Sequence, residues 1–257
     1  MIVVPKKAFG QHFLVDENIL GVIGRLADLR PDDVVLEVGP GLGMLTRYLA
    51  ERTRIVHAIE IDRALAESLS TVLAGHENVR LVFGDALRLD LGALEPRPRK
   101  FVANLPYNVA TPLVVETLER VRSIESWCVM VQREVAERFF AEPRTKAYGA
   151  VSVLVQLAAR KTGFRAVPPT VFRPRPRVDS ALVAFTRTAG PRLADVRPIV
   201  EAAFAHRRKM LANSVALAGL AQRARVEEAL AAIGRPAQSR AEELTPSEFV
   251  ALAEELK

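Results

Sequence analysis

Cysteine is almost absent from this sequence, and its scarcity limits the kinds of protein that the chain can be. The one cysteine is Cys128, which excludes a disulfide framework and any zinc site with several cysteine ligands. Long apolar runs are missing as well, since none approaches the roughly 18–20 residues that a membrane-spanning helix needs. The opening MIVVPKKAFG has its charges after its apolar residues, unlike a signal peptide. We therefore expect a soluble cytoplasmic protein that does not enter a membrane.

Acidic residues are scarce in one part of the chain. Between Arg160 and Met210 there are twelve Lys and Arg residues but three Asp and Glu residues, a net charge of +9. Because the whole chain carries +6, the rest carries −3. A basic segment beside a mildly acidic remainder indicates a polyanionic partner. An arginine-rich solvated surface would give the same pattern.

Short apolar segments alternate with helical patterns through the first two thirds of the chain. The predicted strands are 34–39, 54–60, 79–85, 100–104 and 127–132. The predicted helices are 43–52, 62–74 and 112–122. Two later strands, near 163–167 and 181–186, have no helix-length segment between them, so we expect an antiparallel hairpin at the sheet edge. The pattern predicts an α/β fold with a mostly parallel, seven-stranded sheet.

The last part of the chain has a helical pattern only. LTPSEF contains a capping box, since Thr245 is followed three residues later by Glu248, and its Leu and Phe fit the accompanying hydrophobic staple. We therefore predict one domain over residues 1–189 and a small all-helical domain over residues 190–257.

Three glycines stand at alternate positions after the first strand, in EVGPGLG. Gly39, Gly41 and Gly43 let the backbone turn tightly and approach a ligand at a helix N-terminus. The dinucleotide fingerprint is absent, because Met44 and Thr46 stand where its last glycine would fall. The Gly-Lys-Ser/Thr sequence of a P-loop is absent too. The spacing favours a compact nucleoside over a pyrophosphate.

Acidic residues end the next two strands. Glu60 lies 17 residues after Gly43, at the position where an acid binds ribose hydroxyls. Asp85 ends the third strand, where a carboxylate can accept a hydrogen bond from an adenine amino group. Each acid alone would be an ordinary surface residue or helix cap. Together with the glycine turn they describe S-adenosyl-L-methionine (SAM) bound to a Rossmann-like methyltransferase.

A proline follows the fourth strand, in FVANLPYNVATP (101–112). Pro106 forbids the strand to continue, and Thr111 and Pro112 are predicted to be the N-cap and first residue of a helix. NLPY then lies on a strand-to-helix turn, where open α/β sheets bind their ligands. The four residues by themselves also fit a plain turn.

NLPY is similar to the Asn/Asp-Pro-Pro-aromatic motif of amino-group methyltransferases, in the form used by rRNA adenine N6,N6-dimethyltransferases. The resemblance covers nearly the whole chain, in the segments FGQHFL (9–14), EVGPGLG (37–43), IEID (59–62), GDAL (84–87), NLPYNVATP (104–112), QREVAER (132–138), YGAVSV (148–153), VFRPRPRVDSAL (171–182), FAHRRKM (204–210) and RAEELTPSEF (240–249). It implies SAM-dependent dimethylation of two adjacent adenosines near the 3′ end of 16S rRNA, in an immature 30S subunit. It also implies that the helical domain contributes to rRNA binding.

The resemblance assigns the catalytic roles to NLPY. An adenine amine is a poor nucleophile, because its lone pair is delocalised into the ring. Two acceptors, the Asn104 side-chain oxygen and the Leu105 carbonyl, would favour a pyramidal nitrogen and aim its lone pair at the SAM methyl group. Pro106 stiffens the turn, and Tyr107 offers a stacking face. Alignment can supply roughly 7–11 kcal/mol, so no triad and no metal is expected.

The resemblance also implies the RNA contacts. An adenine in RNA must leave its stack to react, and Phe172 would be a second stacking partner beside Tyr107, although alone it would be an ordinary packing residue. The predicted phosphate contacts lie on a stiff proline-spaced segment and on a later basic run, and they are Arg173, Arg175, Arg177, Arg207, Arg208 and Lys209. For the later run, a solvated helix face is an equally simple interpretation.

The N-terminal motif departs from the family at one position. The family usually has Asn after the Gln of this motif, where this chain has His12. By the resemblance the loop closes over SAM, and His12, Leu14 and Asn104 contact the cofactor. Histidine can still donate a hydrogen bond, but its charge depends on pH.

Three alternatives remain open. An Erm-type enzyme would use the same chemistry on large-subunit rRNA and confer macrolide resistance, although the FRPRPRVDSAL and RAEELTPSEF segments favour the small subunit. A non-catalytic assembly or transcription factor could keep the fold, although the intact NLPY and acid set argue against it. A nicotinamide dehydrogenase is disfavoured by the glycine spacing. We expect a monomer.

Overall fold

The computed structural model describes residues 12–257. The opening segment MIVVPKKAFG and the first three residues of FGQHFL lie outside this range. The strands are β1 (Phe13–Leu14), β2 (Val34–Val38), β3 (Ile55–Glu60), β4 (Val79–Phe83), β5 (Lys100–Asn104), β6 (Ser126–Gln132), β7 (Ala159–Val167), β8 (Phe172–Arg173) and β9 (Ser180–Arg187). The helices are α1 (Glu17–Leu26), α2 (Met44–Ala50), α3 (Ala66–Val72), α4 (Ala110–Arg120), α5 (Arg133–Phe139), α6 (Ala150–Ala158), α7 (Leu193–Phe204), α8 (Leu211–Leu217), α9 (Arg223–Ala232) and α10 (Pro246–Glu255).

Seven strands form one mostly parallel sheet, in the order β4-β3-β2-β5-β6-β9-β7. The first five strands in this order, β4, β3, β2, β5 and β6, pair in parallel, and β9 runs antiparallel to β6. This confirms the predicted Rossmann-like fold class. The strand order reverses beside β2, since β3 and β4 lie on one side of it and β5 and β6 on the other. Open α/β sheets bind ligands at the carboxyl ends of the strands around such a reversal.

The central strands are buried except at some of their ends, as parallel strands covered on both faces must be. All five residues of β2 are buried. One core cluster joins Val35 of β2 to Ile23 of α1, Leu49 of α2 and Met130 of β6. Strands β2 to β6 were predicted to within two residues at each end, because continuous apolar runs between turn residues are typical of such strands.

The edge of the sheet is more elaborate than the predicted hairpin. Strands β7 and β9 are neighbours, and β7 lies at the edge, as expected. The connection between them, residues 168–179, contains β8, which pairs antiparallel with β1. A two-residue strand has no periodicity, so the sequence did not indicate this small second sheet.

The chain divides into two compact units, which differ from the predicted domains. One contains residues 12–136 and Lys161–Arg187, and the other contains Glu137–Arg160 and Thr188–Lys257. The division near 187 lies close to the predicted boundary, but residues 137–160 belong to the helical unit. Within that unit α6 packs against α7 and α10. The predicted division of function between residues 1–189 and 190–257 stays a prediction.

The helical unit contains the predicted capping box. The backbone N–H of Thr245 donates to Oε2 of Glu248 at 2.8 Å, and the Thr245 hydroxyl accepts from the Glu248 N–H at 3.4 Å. Leu244 and Phe249 are fully buried, as the staple requires. The guanidinium of Arg235 adds a bidentate ion pair to Glu248, at 2.7 and 2.8 Å, which lowers the pKa of that carboxyl.

Within residues 12–257, no helix has the length and apolar character that crossing a membrane requires.

Candidate active site

A cleft opens at the carboxyl ends of β2, β3, β4 and β5. Its empty volume, counted with the open solvent at its mouth, is about 1040 Å³. The predicted cofactor and catalytic residues that line it are His12, Leu14, Gly39, Gly41, Glu60, Asp85, Asn104, Leu105, Pro106 and Tyr107. The structure therefore brings the N-terminal motif and NLPY together in one site. The residues at the ends of β2, β3 and β4 line the same site.

The glycine turn follows β2 and has backbone angles that suit glycine. Gly39 has φ +75° and Gly41 has φ +58°. A β-carbon on Gly39 would lie 3.3 Å from Cδ of Pro106, and one on Gly41 would lie 3.0 Å from the Phe13 ring. The turn thus packs directly against NLPY on one side and against β1 on the other.

Gly43 differs from the other two glycines. It is the N-cap residue of α2, with φ +82°, and it is not among the residues that line the cleft. A β-carbon there would lie 3.1 Å from Cγ1 of Val72 in α3. The predicted contact of Gly43 with a cofactor stays a prediction, and the structure shows a packing reason for glycine at this position.

Glu60 ends β3 and is buried, with 3 % of its surface exposed. Its Oε2 accepts a hydrogen bond from the Gly41 N–H at 3.1 Å, and its Oε1 accepts one from the Asp62 N–H at 2.8 Å. Burial raises the pKa of this carboxyl, and the backbone donors oppose that shift. Each carboxylate oxygen has a second lone pair, which a ribose hydroxyl can use.

Asp85 follows β4 and is more open, with 36 % of its side chain exposed. Its Oδ1 accepts a hydrogen bond from the Leu87 N–H at 3.0 Å, and Arg88 lies 3.4 Å from its Oδ2. The Asp85 side chain lines the cleft. Its carboxylate can accept a further hydrogen bond, as a contact to an adenine amine requires.

NLPY forms the turn between β5 and α4. The Leu105 N–H donates to the carbonyl of Met130 at 3.0 Å, and the Val109 N–H donates to the carbonyl of Pro106 at 3.1 Å. Helix α4 begins at Ala110, with Val109 as its N-cap. The predicted start at Thr111 and Pro112 was wrong by a few residues, because the Pro106–Val109 turn already leads into the helix, whose first turn tolerates proline.

The polar groups of NLPY are fixed from several directions. Nδ2 of Asn104 donates to the main-chain carbonyl of His12 at 3.2 Å. The Tyr107 hydroxyl hydrogen-bonds to Oγ of Ser180 at 2.6 Å, and its ring lies 5.4 Å from the His12 ring. Burial raises the pKa of the half-buried Tyr107 phenol, so the phenol stays neutral at physiological pH.

Phe172 does not face the cleft. It is 2 % exposed, it belongs to the same core cluster as Leu14 and Leu182, and it pairs with Leu14 across the small sheet. The predicted stacking role of Phe172 does not fit this arrangement, because the apolar core encloses the ring.

The predicted phosphate contacts fall into two groups. Arg173, Arg175 and Arg177 are exposed, and within residues 12–257 they form no ion pair with a carboxylate. In the helical unit, Arg207 instead donates to the carbonyls of Lys146 and Tyr148, at 3.2 and 2.9 Å. Arg207 therefore has a structural role that its place in a basic run did not indicate.

Arg208 and Lys209 are exposed in the segment that follows α7, and their predicted contact with RNA stays a prediction. No group of three His, Cys, Asp or Glu side chains that could hold a metal ion occurs in the part of the chain that the structure describes.

Glu37 is a cleft residue that the sequence patterns did not single out. It is 1 % exposed, and its Oε2 has no hydrogen-bond partner within residues 12–257. Burial raises the pKa of Glu37 to about 8; the neighbouring Thr46 hydroxyl opposes that shift, and the nearby Glu60 charge adds to it. A carboxyl group inside a buried apolar strand was the available signal, since such a group needs a partner.

The donor and acceptor groups of the cleft are of the kinds that SAM would need. The buried carboxyl groups of Glu37 and Glu60 line the cleft, and so does the glycine turn with Gly39 and Gly41. Oε2 of Glu37, which has no hydrogen-bond partner in the part of the chain that the structure describes, suits the ammonium of an amino-acid moiety. The Glu60 carboxylate suits a diol. These groups match the two polar ends of an amino-acid-bearing nucleoside.

Comparison with known proteins agrees with this chemistry. The family model for ribosomal RNA adenine dimethylase matches residues 4–257. A curated ribosomal RNA small subunit methyltransferase A from Rubrobacter xylanophilus is 49 % identical over 250 residues, which cover 96 % of this chain and 94 % of that protein.

Two solved structures extend the comparison. The 23S rRNA methyltransferase ErmE is 34 % identical with a TM-score of 0.66, over 95 % of this chain and 99 % of that chain. A dimethyladenosine transferase from Plasmodium falciparum shares the fold with a TM-score of 0.76 at 23 % identity, over 94 % of this chain and 96 % of that chain. From the family match and the identity to its curated relatives, we conclude that this chain belongs to the ribosomal RNA adenine dimethylase family.

Proposed function

We propose that this enzyme transfers methyl groups from SAM to N6 of two adjacent adenosines near the 3′ end of 16S rRNA. The substrate would be an immature 30S subunit, met in the cytoplasm by a monomer of the enzyme. The observation that carries the proposal is the orientation of the Asn104 amide at the cleft, where Nδ2 is bonded to His12 and Oδ1 has no partner within residues 12–257.

Cofactor binding would use the cleft residues at their observed positions. Glu60 would hold the ribose hydroxyls, Asp85 the adenine amine and Glu37 the ammonium group. The backbone around Gly39 and Gly41 would lie against the amino-acid end, and His12, Leu14 and Asn104 would cover the site from the side of β1. Bound SAM supplies a methyl group on a sulfonium centre.

The NLPY residues would prepare the target amine. The Asn104 Oδ1 and the Leu105 carbonyl oxygen would each accept one of its hydrogens, which draws the nitrogen toward a pyramidal geometry and frees its lone pair. Tyr107, held by Ser180 at its hydroxyl, would stack on the adenine ring. Alignment of this kind can supply roughly 7–11 kcal/mol, and the product amine loses its extra proton readily to water.

The extruded adenine has to be supplied by bound RNA. Leaving the stack costs a few kcal/mol, and stacking on an aromatic ring recovers about 1–3 kcal/mol per base. The exposed Arg173, Arg175 and Arg177 would contact phosphates, and Arg208 and Lys209 would add to them from the helical unit. Phosphate contacts of this kind position the RNA without reading its sequence.

Large-subunit rRNA is the second candidate substrate, because the chain is 34 % identical to ErmE over nearly its whole length. Small-subunit rRNA is favoured, because identity to a small-subunit methyltransferase reaches 49 % at similar coverage.

Mapping of modified adenosines tests this proposal. The enzyme and SAM are incubated with 30S subunits that lack the modification, and in parallel with 50S subunits or their rRNA, and methylated positions are read by mass spectrometry. We expect dimethyladenosine at two adjacent positions near the 3′ end of 16S rRNA. Dimethyladenosine in 23S rRNA alone would favour the ErmE-like function, and no methylation of either RNA would contradict the enzymatic assignment of the site.

A further inference from the structure

We propose that His12 is a positioning residue for methyl transfer, which fixes the orientation of the Asn104 amide by tying β1 to the segment after β8. This inference rests on the proposed function, because it says that His12 orients Asn104, the proposed acceptor for the target amine. It concerns the position at which this chain has histidine and the family usually has asparagine.

The first contact is made by the main chain of His12. Its carbonyl oxygen accepts a hydrogen bond from Nδ2 of Asn104 at 3.2 Å. A carbonyl oxygen can only accept, so this contact selects the amide rotamer in which the NH₂ end points to His12. The Oδ1 atom of Asn104 is thereby left as the end available to the target amine.

The second contact is made by the His12 side chain. Its Nδ1 lies 2.7 Å from the carbonyl oxygen of Pro174. Because that oxygen is an acceptor only, Nδ1 must carry the proton and donate. In the two-residue ladder between β1 and β8, Phe13 lies opposite Arg173 and Leu14 opposite Phe172. The His12 bond lies just before this ladder and anchors the start of β1. Such a short ladder has few hydrogen bonds of its own, so the His12 bond holds the carbonyl in place.

The third contact links His12 to the stacking residue. The His12 and Tyr107 rings are 5.4 Å apart at an interplanar angle of 32°, while Ser180 binds the far end of Tyr107 at 2.6 Å. The Tyr107 side chain is thus hydrogen-bonded at its hydroxyl and lies beside the His12 ring. His12 therefore contacts two of the three NLPY residues that would handle the adenine, Asn104 and Tyr107. Its bond to Pro174 connects them to the arginine-bearing segment.

The test compares His12→Ala, which removes the donor, with His12→Asn, whose amide can donate to the same carbonyl. The control is His76→Ala, since His76 follows α3 and does not line the cleft. Single-turnover methyl transfer is measured at saturating SAM and saturating 30S subunits, with SAM affinity measured separately by calorimetry. We expect His12→Ala to slow transfer at saturation at least about 10-fold, with His12→Asn and His76→Ala close to the parent rate.

A second readout does not depend on activity. The side-chain amide resonances of Asn104, assigned by their disappearance in Asn104→Ala, should shift in His12→Ala and remain near their parent positions in His12→Asn. This readout decides the inference even if the parent protein methylates no 30S subunit, a result that would contradict the proposed function alone.

Two results would overturn the inference. One is parent-like transfer by His12→Ala at saturation together with unmoved Asn104 amide resonances, even if SAM affinity falls, since His12 would then be a cofactor contact only. The other is a defect in His12→Asn as large as in His12→Ala, since the hydrogen bond to Pro174 would then not be the property that matters.

Discussion

The backbone N–H of Gly41 donates a hydrogen bond to Oε2 of Glu60 over 3.1 Å. The two residues come from successive strand ends, and the bond joins the glycine turn to the acid predicted to bind ribose. Glu60 therefore has two tasks, since it shapes the turn and offers its remaining lone pairs to the cofactor. A substitution at this position should affect both.

We predict that Glu60→Ala weakens SAM binding by about 10- to 100-fold, because hydrogen bonds to a charged acceptor contribute about 1.5–3 kcal/mol. Asp85→Ala should weaken it less, because the Asp85 carboxylate is more exposed. Glu77→Ala is the control, an exposed acid outside the cleft. Calorimetry without RNA measures all three affinities, and parent-like binding by both cleft variants would mean that the cofactor binds elsewhere.

Glu37 makes the stability of the protein depend on pH. Burial raises the pKa of Glu37 from its ordinary value of 4.5 to about 8. The folded state therefore binds the proton more tightly than the unfolded state does. The contribution of Glu37 to the free energy of unfolding is consequently most favourable below pH 4.5, falls as the pH rises, and is lowest above about pH 8.

We predict that Glu37→Gln removes this dependence. Relative to the parent, the variant should gain stability between about pH 5 and about pH 8.5, on the order of a few kcal/mol, because glutamine has no charge to bury. Denaturant unfolding in the absence of SAM measures the difference, with Glu77→Gln as the exposed control. Parallel pH profiles for Glu37→Gln and the parent would show that the Glu37 carboxyl is not destabilised by burial.

The exposed arginines after β8 should govern the dependence of RNA binding on salt. We predict that changing Arg173, Arg175 and Arg177 to glutamine weakens RNA binding while SAM affinity is retained. The log–log salt slope should fall by about 0.7–0.9 for each phosphate that these arginines neutralise. The matched control changes three other exposed arginines, Arg25, Arg54 and Arg122. Filter binding over a salt series gives the slopes, and equal slopes for the two triple variants would remove this segment from the RNA interface.

The parts of the fold that the sequence predicted are those with strong local patterns. Apolar runs ending at Val38, Glu60 and Asn104 predicted the parallel strands, and topology then requires their carboxyl ends to lie along one edge. The position of the cleft could be predicted from that edge, because the glycine turn, the two acids and NLPY all lie at or just after the ends of strands.

The parts that could not be predicted depend on tertiary contacts. The burial of Phe172 follows from the pairing of β8 with β1, and neither two-residue strand has a pattern of its own. Arg207 resembles its exposed neighbours in sequence, and only the folded chain shows that it binds the carbonyls of Lys146 and Tyr148. A carboxyl group in the apolar run VVLEVG was a signal for Glu37, but only the folded chain shows that its Oε2 has no partner among residues 12–257.

The proposed mechanism depends most on Asn104. We predict that Asn104→Ala folds and keeps most of its SAM affinity but is defective in methyl transfer, because its Oδ1 acts on the target amine. Some decrease in SAM affinity is expected, since Asn104 also lines the cofactor cleft. Removal of one preorganised hydrogen-bonding group from a catalytic site typically costs about 10²–10³ in rate.

The measurement that decides this is the single-turnover rate of Asn104→Ala on unmodified 30S subunits, at concentrations of SAM and subunits that saturate the variant. Circular dichroism and calorimetry establish that the variant is folded and binds SAM. We predict a rate lower than that of the parent by about 10²-fold or more. A rate close to that of the parent would show that NLPY is only a turn and that the proposed mechanism is wrong.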